Sequence, residues 1–153
     1  MAFPTIGKVD IEKMDAGEYI GNAYEIDSTA TFEDGLKFGR VAKLDSGSLD
    51  NLDGSSTPVI AGIVLRTASN PIEDGYTYTT ENTVQVDYLT KGRATVEVLS
   101  GETPAFGDAV RVVNAGGATD GQVAVTSAAG TISITGWRFI KSVKTGVAIV
   151  EVK

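Results

Sequence analysis

Hydrophobic and polar residues alternate most regularly between Thr83 and Leu99, in TVQVDYLTKGRATVEVL. Val84, Val86 and Tyr88 alternate with polar neighbours, and Ala94, Val96 and Val98 do so again beyond the Lys91-Gly92 break. A period of two marks a strand with one buried and one wet face. Both runs use even positions, so the pattern predicts that Gly92 interrupts the segment without exchanging its faces. A single strand of about 15 residues exceeds the usual length of roughly 3–10. Two geometries fit: a hairpin turning over Leu89–Gly92, or one long strand bent by a bulge at Gly92. In either, the other strands must pair with this stretch or pack on it.

Upstream the pattern weakens. Residues 1–30 carry Pro4, Gly7, Gly17 and Gly21 between short runs that keep neither helical nor strand periodicity. An arm lying on the surface or on a neighbouring subunit fits, as does an ordinary irregular edge. One short helix is conceivable at Asp10–Met14. The organisation expected is an N-terminal arm or irregular leader over residues 1–35 and a single β-barrel or sandwich domain over 36–153. Within the latter, LKFGRVAKL (Leu36–Leu44) loses phase at Gly39 and predicts a strand with a bulge or bend. Asp45–Pro58 reads as a loop on its Asp, Asn, Ser, Gly and Pro content. VIAGIVLR (Val59–Arg66) is an almost unbroken apolar run of strand length, suited to burial on both faces. Thr67–Asn82 returns to loop chemistry, with Tyr76 and Tyr78 placed on a short strand.

Downstream, Ser100–Gly107 is a turn-rich connection, Ala109–Val113 a strand and Asn114–Gly121 a loop. Gln122–Thr126 alternates, Thr131–Thr135 and Trp137–Val143 read as two strands, and Val147–Val152 closes the chain after a Lys144-Thr145-Gly146 turn. The fold class is therefore all-β: an antiparallel β-barrel or jelly-roll-like sandwich of about nine or ten strands. Three string pairs occur in the same order: Phe38-Gly39 with Phe106-Gly107, AGIV at Ala61 with TGWR at Thr135, and GRATVEV at Gly92 with GVAIVEV at Gly146. Two related half-barrels would produce that order, and so would chance reuse of strand strings.

Composition narrows the chemistry. The 153 residues contain no cysteine and no histidine, which removes disulfides, thiolate metal sites, the commonest zinc ligand and every Ser-His-Asp or Cys-His arrangement. The formal charge is −7, with eleven acids against five bases in residues 1–53. Such a surface repels nucleic acid, and no run approaches the ~18 apolar residues that span a bilayer. The segment MAFPTIGKVDIEK lacks the charged-then-apolar order of a secretory signal.

The remaining candidates have bland readings beside them. Asp45, Asp50, Asp53 and Gly54 offer oxygens to calcium, but not at the spacing of an EF-hand, and a solvated loop explains them. Glu33-Asp34 and Glu73-Asp74 are adjacent in sequence, so they do not face each other across a substrate as glycosidase carboxylates do. The glycines of AGGATDG and SAAGT match no phosphate-binding fingerprint. Trp137, in GWRFI, is a core residue or else an anchor for a partner or a sugar ring. No cofactor, metal or catalytic residue is assigned.

The succession LKFGRVAKL, AGIVLR after an acidic loop, VxVxxLxKGRxxVEV, PAFGDAVRVV, GWRFIKS and TGVAIVEVK resembles the structural cement (head decoration) proteins of tailed bacteriophages. The resemblance runs from about Leu36 to Lys153. It implies a non-enzymatic virion protein, made in the bacterial host cytoplasm, that sits on the outer surface of the capsid. There it would bridge neighbouring major capsid subunits, bind its own siblings (trimer ahead of dimer), and touch neither nucleic acid nor membrane. Partner-binding residues expected on this reading are Phe3, Ile6 and Tyr19 of the arm, the loops at 45–58 and 67–82, and the aromatics Tyr76, Tyr78 and Trp137. The same three aromatics would serve as stacking platforms in a carbohydrate-binding β-sandwich. A tail-tube or baseplate subunit is the other virion alternative.

Overall fold

The computed structural model describes residues 15–66, 77–80 and 83–153. Among these it contains eleven strands and no helix: β1 (Tyr19–Thr29), β2 (Leu36–Lys37), β3 (Val41–Asp45), β4 (Ser48–Asn51), β5 (Val59–Val64), β6 (Thr77–Tyr78), β7 (Val86–Glu97), β8 (Ala109–Val113), β9 (Val123–Ala124), β10 (Thr131–Lys144) and β11 (Val147–Val152). One antiparallel sheet runs β4-β3-β5-β7-β11-β10-β8-β9, with β1 also paired to β7, and β2 and β6 form a separate ribbon. The proposed helix at Asp10–Met14 lies outside the described residues.

The alternating stretch is the hub. Strand β7 pairs with β1, β5 and β11, and it is continuous, so the hairpin alternative is excluded. Gly92 does exchange the faces, contrary to the sequence reading. Val86 and Tyr88 pack in a smaller core with Phe32, Leu36, Phe38, Leu49 and Tyr78, while Leu89 enters the larger core. Beyond Gly92 it is the even residues Ala94 and Val96 that enter the larger core. The glycine stands at φ 117°, a backbone setting that a side chain resists, and one such residue resets the alternation. Opposite it, between Ile20↔Arg93 and Glu25↔Lys91, four residues of β1 face the single Gly92.

The two cores explain the apolar run at β5. Ile63 and Leu65 belong to the larger core and Val64 to the smaller, so this end of the strand is covered on both sides. Its beginning is not, for Val59 is 64% exposed. Each fully buried Leu, Ile, Val or Phe contributes about 1.5–3 kcal/mol.

Several boundaries differ from the sequence reading. Strand β1 lies inside the stretch expected to be irregular, because β7 supplies the pairing that its own weak pattern does not advertise. LKFGRVAKL is two strands, separated by a turn at Phe38–Arg40, and its halves join different sheets. The loop at 45–58 contains β4, which folds back on β3 through Ser46-Gly47, both at positive φ as a two-residue hairpin requires. Thr131–Thr135 and Trp137–Val143 are one strand, β10, whose pairing with β8 shifts register between Ser133 and Arg138. Only Val123–Ala124 of Gln122–Thr126 is strand.

The sheet order has a mirrored sequence of elements about the β7/β11 pair. One side reads β7-β5-β3-β4, the other β11-β10-β8-β9. The similar strings Gly92–Val98 and Gly146–Val152 lie side by side: Gly92 faces Val152, and the Val98 N–H donates to the Gly146 carbonyl at 2.8 Å.

Candidate interaction surface

The acidic groups singled out in the sequence are occupied with holding loops. Glu33 accepts from the backbone N–H and side-chain amide of Asn51, and Asp34 from the N–H and hydroxyl of Thr80. Asp53 takes the ammonium of Lys43 at 2.8 Å and the Ser55 N–H at 3.1 Å, while Asp50 accepts from Ser48. The Lys43 hydrogen bond, aided by Ser55, lowers the Asp53 carboxyl to about 2. The same bond outweighs burial at Lys43 and raises its ammonium above the ordinary lysine value. In AGGATDG, Asp120 accepts from the N–H groups of Ala115 and Gly116. Glu73-Asp74 lies outside the described residues. Among the described residues no group of three or more His, Cys, Asp or Glu side chains converges as metal ligands do.

A groove of about 690 Å³ runs between Glu97–Pro104 and Ser142–Val147, with Gln122 at its wall. Glu97 there accepts from Arg40 Nε at 2.6 Å and from the Gln122 amide. Burial pushes the Glu97 carboxyl up, but the Arg40 and Gln122 bonds together hold it below its ordinary value. A carboxylate pinned as the anion does not shuttle protons near neutrality.

The aromatics separate into core and surface. Tyr78 is fully buried and its hydroxyl donates to the Leu65 carbonyl at 2.6 Å, so it presents no ring face to a partner. Trp137 is a member of the larger core, which corrects the anchor reading in favour of packing. Tyr19 is exposed and packs on Tyr24 with ring centroids 4.7 Å apart, at the irregular part of β1. Phe3, Ile6, Tyr76 and the segment 67–76 lie outside the described residues.

Phe106, in the connection read only as turn-rich, is 74% exposed, with the Arg138 guanidinium 5.8 Å from its ring centroid. Arg138 is held by Glu151 at 2.9 Å, and Glu151 also takes Arg93 at 2.9 Å. Arg93 above all, with Arg138, lowers the Glu151 carboxyl against the opposing effect of burial. The signal available in the sequence was the Phe-Gly dipeptide shared with Phe38-Gly39. A second apolar spot joins Leu44 to Val59, cross-strand neighbours on β3 and β5 that are both exposed. Phe106 with Arg138 is an exposed aromatic–arginine pair, a composition enriched in protein contacts.

The family model described as structural cement protein (E217 gp24/Pam3 gp6) matches residues 16–153. Among solved structures, a chain from "The capsid of Myoviridae Phage XM1" is similar at 32% sequence identity and a TM-score of 0.86. The alignment covers 99% of this chain and 97% of that one. No curated protein matches.

Proposed function

The chain belongs to the structural cement protein family, and from that premise we propose that it decorates a phage head and bridges its major capsid subunits. The family match over residues 16–153 carries this reading, and the similarity to a chain of a phage capsid supports it. The site chemistry is compatible: several carboxylates are tied into loops, and the exposed Phe106–Arg138 pair is of the kind that buries against protein. On this reading the protein acts by binding and catalyses nothing.

The outer surface of the shell is the proposed location, where a net charge of −7 stays clear of the packaged genome. Copies contacting two or three coat subunits and one another gain from multivalency, since each further contact is effectively intramolecular. A homo-oligomer around a local symmetry axis, trimer ahead of dimer, belongs to the same proposal. Tyr19, with Phe3 and Ile6, is proposed to share the contact with the surface around the β3–β4 hairpin.

Purified protein mixed with expanded heads lacking it tests the reading. Electron cryomicroscopy is expected to show new density on the outside of the shell, spanning subunit boundaries. Heads that stay bare at saturating protein would refute it.

A further inference from the structure

The two halves of the sheet repeat one corner. Phe38-Gly39-Arg40-Val41-Ala42-Lys43-Leu44 leads into β3, and Phe106-Gly107-Asp108-Ala109-Val110-Arg111-Val112 leads into β8. At the first, the Gly39 N–H donates to the Val64 carbonyl at 2.8 Å and the Val64 N–H to the Arg40 carbonyl at 3.0 Å. At the second, the Gly107 N–H donates to the Phe139 carbonyl at 2.8 Å and the Phe139 N–H to the Asp108 carbonyl at 2.9 Å. A guanidinium lies 5.8 Å from each ring centroid, Arg66 on Phe38 and Arg138 on Phe106.

They differ in their cover. Phe38 is buried in the smaller core with Leu36 and Tyr78. Residues Ala16 and Gly17 press so closely on Gly39 that a Cβ there would fall 2.3 Å from the Ala16 Cβ. That covering segment is a tight turn of two small residues, with Gly17 at φ 90°, bonded through the Gly17 carbonyl to the Arg66 N–H at 2.7 Å and through the Gly17 N–H to the Thr95 carbonyl at 2.8 Å. At the second corner nothing lies within 4 Å of a Cβ added to Gly107, and Phe106 is 74% exposed. Arg138 is fixed beside it by Glu151 at 2.9 Å. An exposed aromatic beside a preorganised arginine is the composition of an interface hot spot.

The geometry points to the Phe106–Gly107 corner as a docking site for a tight, small-residue turn of a coat subunit, which supplies the cover that Ala16-Gly17 supplies at Phe38–Gly39. This rests on the cement reading. A second copy's own Ala16-Gly17 stretch is a poor occupant. It is bound to that copy's Thr95 and Arg66, and releasing it would uncover one corner to cover another.

Binding of purified F106A to heads lacking the protein, quantified by co-sedimentation, tests this. V84A serves as control, since Val84 is 83% exposed and belongs to neither corner. F106A is expected to melt like the unaltered chain and to bind at least roughly tenfold more weakly, with V84A unchanged. F106A binding as well as the unaltered chain would overturn the docking site while leaving the cement role standing. So would an F106A defect confined to self-association. Failure of the unaltered chain to bind heads would overturn both.

Discussion

Lys43 shows how single residues stabilise this chain. Its side chain is almost wholly buried, yet its ammonium reaches Asp53 at 2.8 Å and Asp45 at 3.7 Å. Asp53 titrates at about 2 in the folded chain, below its ordinary 3.8, so its stabilisation is present above pH 4 and drains as pH falls toward 2. Asp15, Glu97 and Glu151 are also lowered and act with the same sign. Lys43 is raised, so its contribution holds below the ordinary lysine value and is lost as pH rises above that value through the raised one. With no histidine to titrate between them, stability measured by urea unfolding is expected to be flat from about pH 5 to 9. It should fall below pH 4, less steeply in K43M. A transition centred near pH 6.5 would contradict this account.

The repeated glycines give a paired residue-scale prediction. Gly39 stands at φ 73° and Gly107 at φ 88°, so alanine is strained at both, by roughly 1–2 kcal/mol. Only Gly39 also meets a neighbour, and the overlap with Ala16 adds roughly 1–3 kcal/mol. Denaturant melts should therefore rank G39A well below G107A. Equal losses would show that the first corner is not closed by Ala16.

At the scale of elements, β7 holds the sheet together and its two ends behave differently. Leu89 is fully buried in the larger core, whereas Val84, in the same alternating run of sequence, precedes the strand and is exposed. L89A is expected to cost about 2–5 kcal/mol of unfolding free energy, and V84A less than about 0.5. Comparable costs would place the start of the buried strand two residues earlier than it is here.

That contrast also shows what the sequence could convey. The hub was legible because its alternation is long, and β8 and β11 were legible because turns bracket them. The exchange of faces at Gly92 was not, since even-numbered apolar residues look alike whichever core receives them. Strand β1 was hidden because four of its residues face one glycine of β7, which breaks the period of two. Strand β4, SLDN, buries only Leu49 among polar residues and owes its existence to pairing with β3. Tyr78 looked like a contact residue because an aromatic beside a loop carries no sign of which side it faces, and Trp137, at the start of a predicted strand, because an alternating face can meet either the core or a partner. Phe106 was overlooked for the converse reason: Pro104 and Gly107 around it read as a turn, and a turn says nothing of exposure.

For the whole molecule, the family assignment and the sheet suit a block that loads in its folded form. Most strand pairs join residues distant in the sequence, and β7 couples both halves, so local opening in one half is resisted by the other. Self-association would multiply weak coat contacts into durable ones. Native mass spectrometry at micromolar concentration should show a trimer; a monomer at that concentration would remove the sibling contacts from this account.

Thermal rupture of heads tests the central claim most directly. Expanded, DNA-filled heads lacking the protein are titrated with it, and release of DNA is followed by dye fluorescence during a temperature ramp. Clamping of coat subunits predicts a rupture temperature that rises with bound protein and levels off at full occupancy. Heads that carry the protein yet rupture at the same temperature as bare ones would contradict it.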